Sequence, residues 1–161
     1  MKPTREQVLK QFFYDNDAGV LYRRRKTTSP RPITGRNKDG YVRVMVDGYQ
    51  TVAHRIIWLM VYGEQPDAID HINGNRSDNR LANLRVATPS ENQWNRKKRN
   101  ASSSVFKGVH YAADRSRWGA QIRYRGRLRS LGYFDTEREA HDAYIREARR
   151  LFGAFSNDGI A

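Results

Sequence analysis

The sequence predicts an α+β protein built in two units, and three observations predict it. The run Asn95–Ser104, NRKKRNASSS, is basic and then small and polar, without apolar periodicity, so it reads as a linker. Before it, short strand patterns alternate with helical ones; after it, three strand patterns precede one long helical pattern. The charge also divides unevenly: residues 1–93 hold 15 basic and 10 acidic side chains, whereas residues 94–161 hold 15 and 7 in a shorter span. The expected units are therefore residues 1–95 and 105–161, joined by 96–104.

In the first unit, Thr4–Phe13 reads as a helix. Thr4 with Gln7 makes a capping-box pattern, and Val8/Phe12 and Leu9/Phe13 are apolar pairs four residues apart. After the turn at Asn16–Gly19 a short strand is expected at Val20–Arg23. The loop from there to Gly40 is basic and punctuated by proline, and reads as solvated rather than as a dedicated phosphate contact. Tyr41–Val46 and Tyr49–Ala53 form a hairpin across Asp47–Gly48, a strong turn signal. His54–Tyr62 is a compact apolar helix closed by Gly63. His54 at its start reads as a structural hydrogen-bonder rather than a catalyst.

In the second unit, strands are expected over Val105–Tyr111, Trp118–Tyr124 and Arg127–Phe134, the last two joined across Arg125–Gly126. The period changes from 2 to 3.6 at Thr136, where Thr136 with Glu139 opens a helix to Phe152. The result is a three-stranded antiparallel sheet covered by one helix, which Ala140, Ala143 and Ala148 allow to lie close. Strand alternation turns Trp118, Ala120, Ile122 and Leu131 towards the helix. It leaves Gln121, Arg123 and Ser130 on the open face, with His110 beside them, a set able to read base edges in a major groove.

Composition narrows the partners. Over 161 residues, 30 Lys and Arg against 17 Asp and Glu leave a net charge of +13, a field that attracts nucleic acid above all. A membrane partner is disfavoured because no apolar run approaches a spanning length. The absence of cysteine removes disulfides and thiolate zinc sites. The polar start MKPTREQ has no signal-peptide core, so a cytoplasmic chain is expected. No protein partner is evident, and a monomer is expected.

Chemistry concentrates in Ile69–Asn95, IDHINGNRSDNRLANLRVATPSENQWN. Its order is strand, loop, strand and helix, with Thr88, Glu91 and Pro89 marking the helix start. Phosphodiester hydrolysis needs an activated water, a cation on the developing charge and help for the leaving oxygen. Asp70 offers a charged oxygen and Asn92 an amide carbonyl, ligands suited to one hard divalent cation, Mg²⁺ or Mn²⁺. His71 suits proton removal near neutral pH, and Asn83 could hold its other ring nitrogen. Arg76 and Arg80 are candidate phosphate contacts.

The runs AHRIIWLMVYG at Ala53–Gly63, IDHINGNRSDNRLANLR at Ile69–Arg85 and TPSENQWN at Thr88–Asn95 resemble the HNH endonucleases of phage and intron-borne homing enzymes. The resemblance covers roughly residues 15–95. It implies a ββα-metal fold, a β-hairpin and helix clasping one divalent ion. It also implies His71 as general base, Asn83 as its orienting residue, and Asp70 with Asn92 as metal ligands, in the branch with Asn at the third position. The zinc-binding Cys pairs of many relatives are missing here.

Phe106–Tyr144 similarly resembles the plant ethylene-response-factor (APETALA-type) DNA-binding domain. That resemblance implies groove-reading residues at His110, Gln121, Arg123, Leu128 and Ser130. The plant proteins usually carry Arg and Trp at the last two positions, so a different base preference is expected. Arg125, Arg127 and Arg129 crowd the hairpin end and suit phosphate contacts, Arg129 by reaching outward from the helix face.

Two functional readings follow. One is a metal-dependent, homing-type endonuclease of double-stranded DNA with a targeting module; the other is a DNA-binding regulator whose HNH fold is inert. The first is preferred because each proposed ligand, the base and the orienting Asn are present.

Overall fold

The computed structural model describes residues 1–88, 91 and 103–156. The chain divides into two compact units, Met1–Thr88 and Pro89–Ala161. Of the expected continuation of the first unit to residue 95, only Glu91 is among the described residues.

The first unit begins with α1 (Arg5–Gln11), whose Thr4/Gln7 capping box is formed on both sides. The helix is shorter than its apolar spacing suggested. Phe12 turns to extended backbone (φ −131°, ψ 161°) and the chain enters β1 (Phe12–Asp15). Its pairing with β2 (Val20–Arg23) satisfies the backbone of Phe12 and Phe13 in a ladder instead of another helical turn. β3 (Arg31–Pro32) joins the far edge of β2, giving the order β1-β2-β3. β4 (Arg43–Val46) and β5 (Tyr49–Val52) form the expected hairpin. Asp47 and Gly48 both take positive φ (45° and 80°), the turn whose twist matches the flanking strands.

α2 (Ala53–Tyr62) follows β5 directly and is closed by Gly63 in the left-handed region. Its apolar residues do not form a single stripe. Ile56, Ile57, Leu59 and Met60 join Val8, Phe12, Leu21 and the β4 valines in the main core. Trp58 packs with Ile69 and Leu84. Burying each such side chain contributes about 1.5–3 kcal/mol, so α2 anchors both the β4–β5 hairpin and β6 (Ile69–His71) with β7 (Leu84–Val86). The last two pair antiparallel, with Asp70 opposite Arg85 and His71 opposite Leu84.

In the second unit, β8 (Val109–Ala112), β9 (Arg117–Tyr124) and β10 (Arg127–Phe134) make an antiparallel sheet in the order β10-β9-β8. β8 starts at Val109 and not at Val105. The Ser104 hydroxyl accepts the Phe106 N–H at 2.9 Å, and Gly108 has φ +74°, so the chain turns where a strand was expected. A Cβ on Gly108 would lie 2.3 Å from the Tyr144 ring and 2.5 Å from the Gln121 carbonyl. α3 (Glu137–Phe152) carries the expected Thr136/Glu139 capping box. Ala140, Ala143, Tyr144, Ala148 and Phe152 are buried against Val109, Trp118, Ala120, Ile122 and Leu131. No helix among the described residues is long and apolar enough to cross a membrane.

Candidate active site

Strand pairing in β6–β7 sets the site. Asp70 and His71 are adjacent, so they leave opposite faces of the strand, yet both are buried; His71 meets His54 of α2 and Asn79 of the loop 72–83, and Asp70 meets Arg85 of β7. Asp70, His71, His54 and Asn79 are each only 3–5% exposed. Arg85, directly across the ladder from Asp70, donates to its Oδ2 from Nε at 3.0 Å and Nη2 at 2.7 Å. The carboxylate is therefore held in one orientation with a cation beside it.

The loop 72–83 is a hydrogen-bonded structure in its own right. Asn73 Oδ1 accepts Asn75 N, Asn75 Oδ1 accepts Ser77 N, and Asn73 Nδ2 donates to Asp78. Asn83 closes it: Oδ1 accepts the Asn73 N–H at 2.9 Å and Nδ2 donates to the Asp78 carbonyl at 2.8 Å. The orienting role expected of Asn83 therefore falls elsewhere. The side chain bonded to the imidazole is Asn79, whose Oδ1 lies 3.2 Å from His71 Nε2. Asn83 acts at one remove, by clasping the loop that presents Asn79. Asn83 sits in a 3₁₀ turn (Leu81–Asn83) just before β7.

This bond assigns the tautomer. Asn79 Nδ2 donates to the Ser77 carbonyl, so Oδ1 is the atom facing the ring and can only accept. Nε2 carries the proton, and Nδ1 is the basic nitrogen. Burial lowers the pKa of His71, with the Asn79 bond and the Asp70 charge pulling the other way, and the net shift is downward. His71 is therefore neutral at pH 7.

His54, expected to be a structural hydrogen-bonder, is part of this cluster. Its ring meets that of His71 edge-on, with centroids 4.9 Å apart, and Tyr41 touches both, at 5.2 and 5.8 Å. Its Nδ1 is buried without a hydrogen-bond partner among the described residues. Burial, with smaller contributions from His71 and Arg55, pushes its pKa down to about 3. The sign follows: unfolded His54 binds a proton near pH 6.5 and folded His54 does not. Its contribution to stability is full above 6.5 and is lost as pH falls towards 3. Acidification from pH 7.5 to 5 is expected to cost about 2 kcal/mol at this residue. Denaturant midpoints for wild type and His54→Phe should diverge in slope over that range; parallel lines would refute the assignment.

The remaining sequence candidates separate. Arg76 donates to the Asp39 carbonyl at 2.8 Å and lies over the Tyr41 ring at 4.9 Å, which keeps its guanidinium beside the cluster. Arg80 is paired twice with Asp78, at 2.8 and 2.6 Å, so its charge is neutralised locally. Asn92 lies outside the described residues. Among the described residues no three His, Cys, Asp or Glu side chains gather into a metal cage. Of the two expected ligands, only Asp70 is described, a buried carboxylate of the kind a hard divalent ion takes together with waters.

In the second unit, paired residues share a face: Leu128 with Arg123, Ser130 with Gln121, Tyr133 with Gly119 and His110 with Gly119. His110 lies so close over Gly119 that a Cβ there would be 2.6 Å from its ring. Arg123 donates to the Gly126 carbonyl at 3.2 Å, and Arg125 and Arg129 stand over the Tyr124 ring at 5.3 and 5.2 Å. Arg127 is exposed at the start of β10.

Asn79, Arg85, His54 and Tyr41 were missed as site residues. Only Arg85 had a signal, since antiparallel pairing of Ile69–His71 with the strand after Asn83 places it opposite Asp70.

Comparison with known proteins picks out the same segment of the chain. Residues 51–94 match the family model of the HNH endonucleases. Protein 3.8 of Escherichia phage T7 is 34% identical over 105 residues, covering 58% of this chain and 87% of that protein. The uncharacterized HNH endonuclease L560 of Acanthamoeba polyphaga mimivirus is 34% identical over 122 residues, covering 74% of this chain and 62% of the relative. That match is longer than the first unit, Met1–Thr88, and so reaches into the second. No solved structure matches. With the matched segment spanning α2, the β6–β7 hairpin and its loop, the chain carries the HNH endonuclease domain of a DNA-cleaving hydrolase.

Proposed function

We propose that the protein is a divalent-metal-dependent, homing-type endonuclease of double-stranded DNA, built on a ββα-metal core and targeted by its second unit. The observation that carries this reading is the His71 pair: a buried neutral imidazole with Nε2 fixed on Asn79, next to a carboxylate fixed by Arg85. Asp70 and Asn92 would hold the cation, Mg²⁺ or Mn²⁺. Once bound, it would stabilise the charge developing on the scissile phosphate.

His71 Nδ1 takes the proton from the attacking water, and Asn79 steadies the imidazolium that forms. Arg85 keeps Asp70 oriented. Arg76, held over Tyr41, offers a cation to a phosphate oxygen. The open face of β8–β10 reads base edges through His110, Gln121, Arg123 and Ser130. Arg125, Arg127 and Arg129 grip phosphates. This part rests on the sheet's sidedness and on the ethylene-response-factor resemblance.

Incubation of supercoiled plasmid with Mg²⁺ or with excess chelator tests the nuclease. Open circles only with Mg²⁺ are expected from a monomer that nicks, and linear product would mean double-strand cutting. Robust cutting in chelator would sink the metal mechanism. Unchanged plasmid in both would favour a DNA-binding regulator with an inert nuclease fold. For the second unit, Arg123→Ala is expected to relax preference at one base pair by about 1–3 kcal/mol. A uniform loss across all sequences would make Arg123 a phosphate contact.

A further inference from the structure

The basic stretch between β2 and Gly40 read as a solvated loop, but the fold shapes it into a groove. Arg23, Arg25 and Arg31 on one side and Arg43, Met45 and Gln50 on the other enclose about 540 Å³, over a floor that includes Pro32, Ile33 and Val44. No lining residue is acidic, and none of the four arginines is ion-paired among the described residues.

Two features are unfavourable unless an anion sits here. Arg23 and Arg31 are directly paired across β2 and β3, an arrangement in which like charges repel. Arg23 is also held rigidly. Its guanidinium stacks over Phe12 at 4.6 Å and donates to the Met45 carbonyl and to Gln11 Oε1. A cation fixed in place beside a second one, with no carboxylate between them, costs stability in the absence of a ligand. It is pre-organised for a polyanion that bridges both.

The groove is also continuous with the active site through the chain. β4, which forms its second wall, begins two residues after Tyr41, the ring touching His54 and His71. β5 runs straight into α2.

We infer that this groove in the first unit seats the phosphodiester backbone of duplex DNA. The inference rests on the nuclease reading for its choice of DNA as occupant. A phosphate strand fits the groove's chemistry because its charges repeat along a line, as the arginines do, and the mixed apolar floor accommodates sugar faces.

The test is equilibrium binding of a fluorescent 30-base-pair duplex to the full-length chain in chelator, across a salt series. Arg31→Gln with Arg43→Gln removes two exposed charges, and melting curves verify folding. Each lost phosphate contact lowers the slope of log affinity against log salt by about 0.9, so a fall of about 2 is expected. Affinity should drop about 10-fold or more, and further in Arg31→Glu with Arg43→Glu. A control pair, Arg146→Gln with Arg149→Gln on α3, loses the same net charge and should change the slope less. An unchanged slope in the groove variants, or an equal change in the control, would overturn the proposal. Binding is measured without cleavage. A groove effect in a protein that fails to cut would therefore uphold this site while removing the nuclease reading.

Discussion

Replacing His71 by alanine is expected to lower the rate of DNA cleavage by about 10²–10⁴-fold, the usual contribution of a general base, with duplex affinity unchanged. The imidazole is buried on β6 and is not among the side chains lining the basic groove, so its loss removes chemistry and not attraction. Single-turnover cleavage in Mg²⁺ and binding in chelator separate the two. Wild-type rates in His71→Ala would remove the residue from the base role. The pH profile carries a second signature. The base works unprotonated and burial lowers its pKa, so activity should persist as pH falls through 6.5 and decline only below it. Asn79→Ala is expected to act through His71, with a smaller rate loss and an altered pH profile, because the ring's tautomer is no longer set.

Replacing Arg85 by alanine is expected to destabilise the first unit by about 3–5 kcal/mol. The two side chains of the Asp70–Arg85 pair are 6% and 15% exposed, so truncating the arginine removes the cation beside a buried carboxylate. Denaturant unfolding measures the loss. A change below about 0.5 kcal/mol would mean the pair behaves as an exposed one. The double replacement Asp70→Asn with Arg85→Met should be less destabilising than Arg85→Met alone, because it leaves no uncompensated charge. The same double variant should fail to cleave. That outcome identifies Asp70 as a residue kept for chemistry rather than for stability.

Much of this protein could be read without coordinates, for local reasons. The capping boxes at Thr4 and Thr136, the Asp47–Gly48 turn and the Gly63 stop are backbone chemistry written within three or four residues. The sheet–helix unit after residue 103 followed from a change of period, and the side chains buried against α3 are those alternation assigned there. The errors lie where a local signal competed with a distant partner. The α1 pattern ran on to Phe13, but pairing with β2 claimed Phe12 and Phe13 for a strand. Val105–Lys107 looked extended until Ser104 and Gly108 bent it back over His141, whose ring stacks on Phe106 at 4.1 Å.

The sequence by itself determined the chemistry's vocabulary: a carboxylate and an imidazole side by side at Asp70–His71, a turn-rich loop after them, no cysteine, and a large positive charge. Those are properties of residue type and of neighbours along the chain. Only the tertiary structure decided which partner each group has. Asn79 holds the imidazole in place of Asn83, Arg85 holds Asp70, Arg80 is neutralised by Asp78, and His54 and Tyr41 wall the site from 17 and 30 residues upstream of His71. Hydrogen bonds and ring contacts act over a few ångströms in space. A loop of many Asn and Asp residues offers several equivalent donors and acceptors, and folding, not spacing, selects among them.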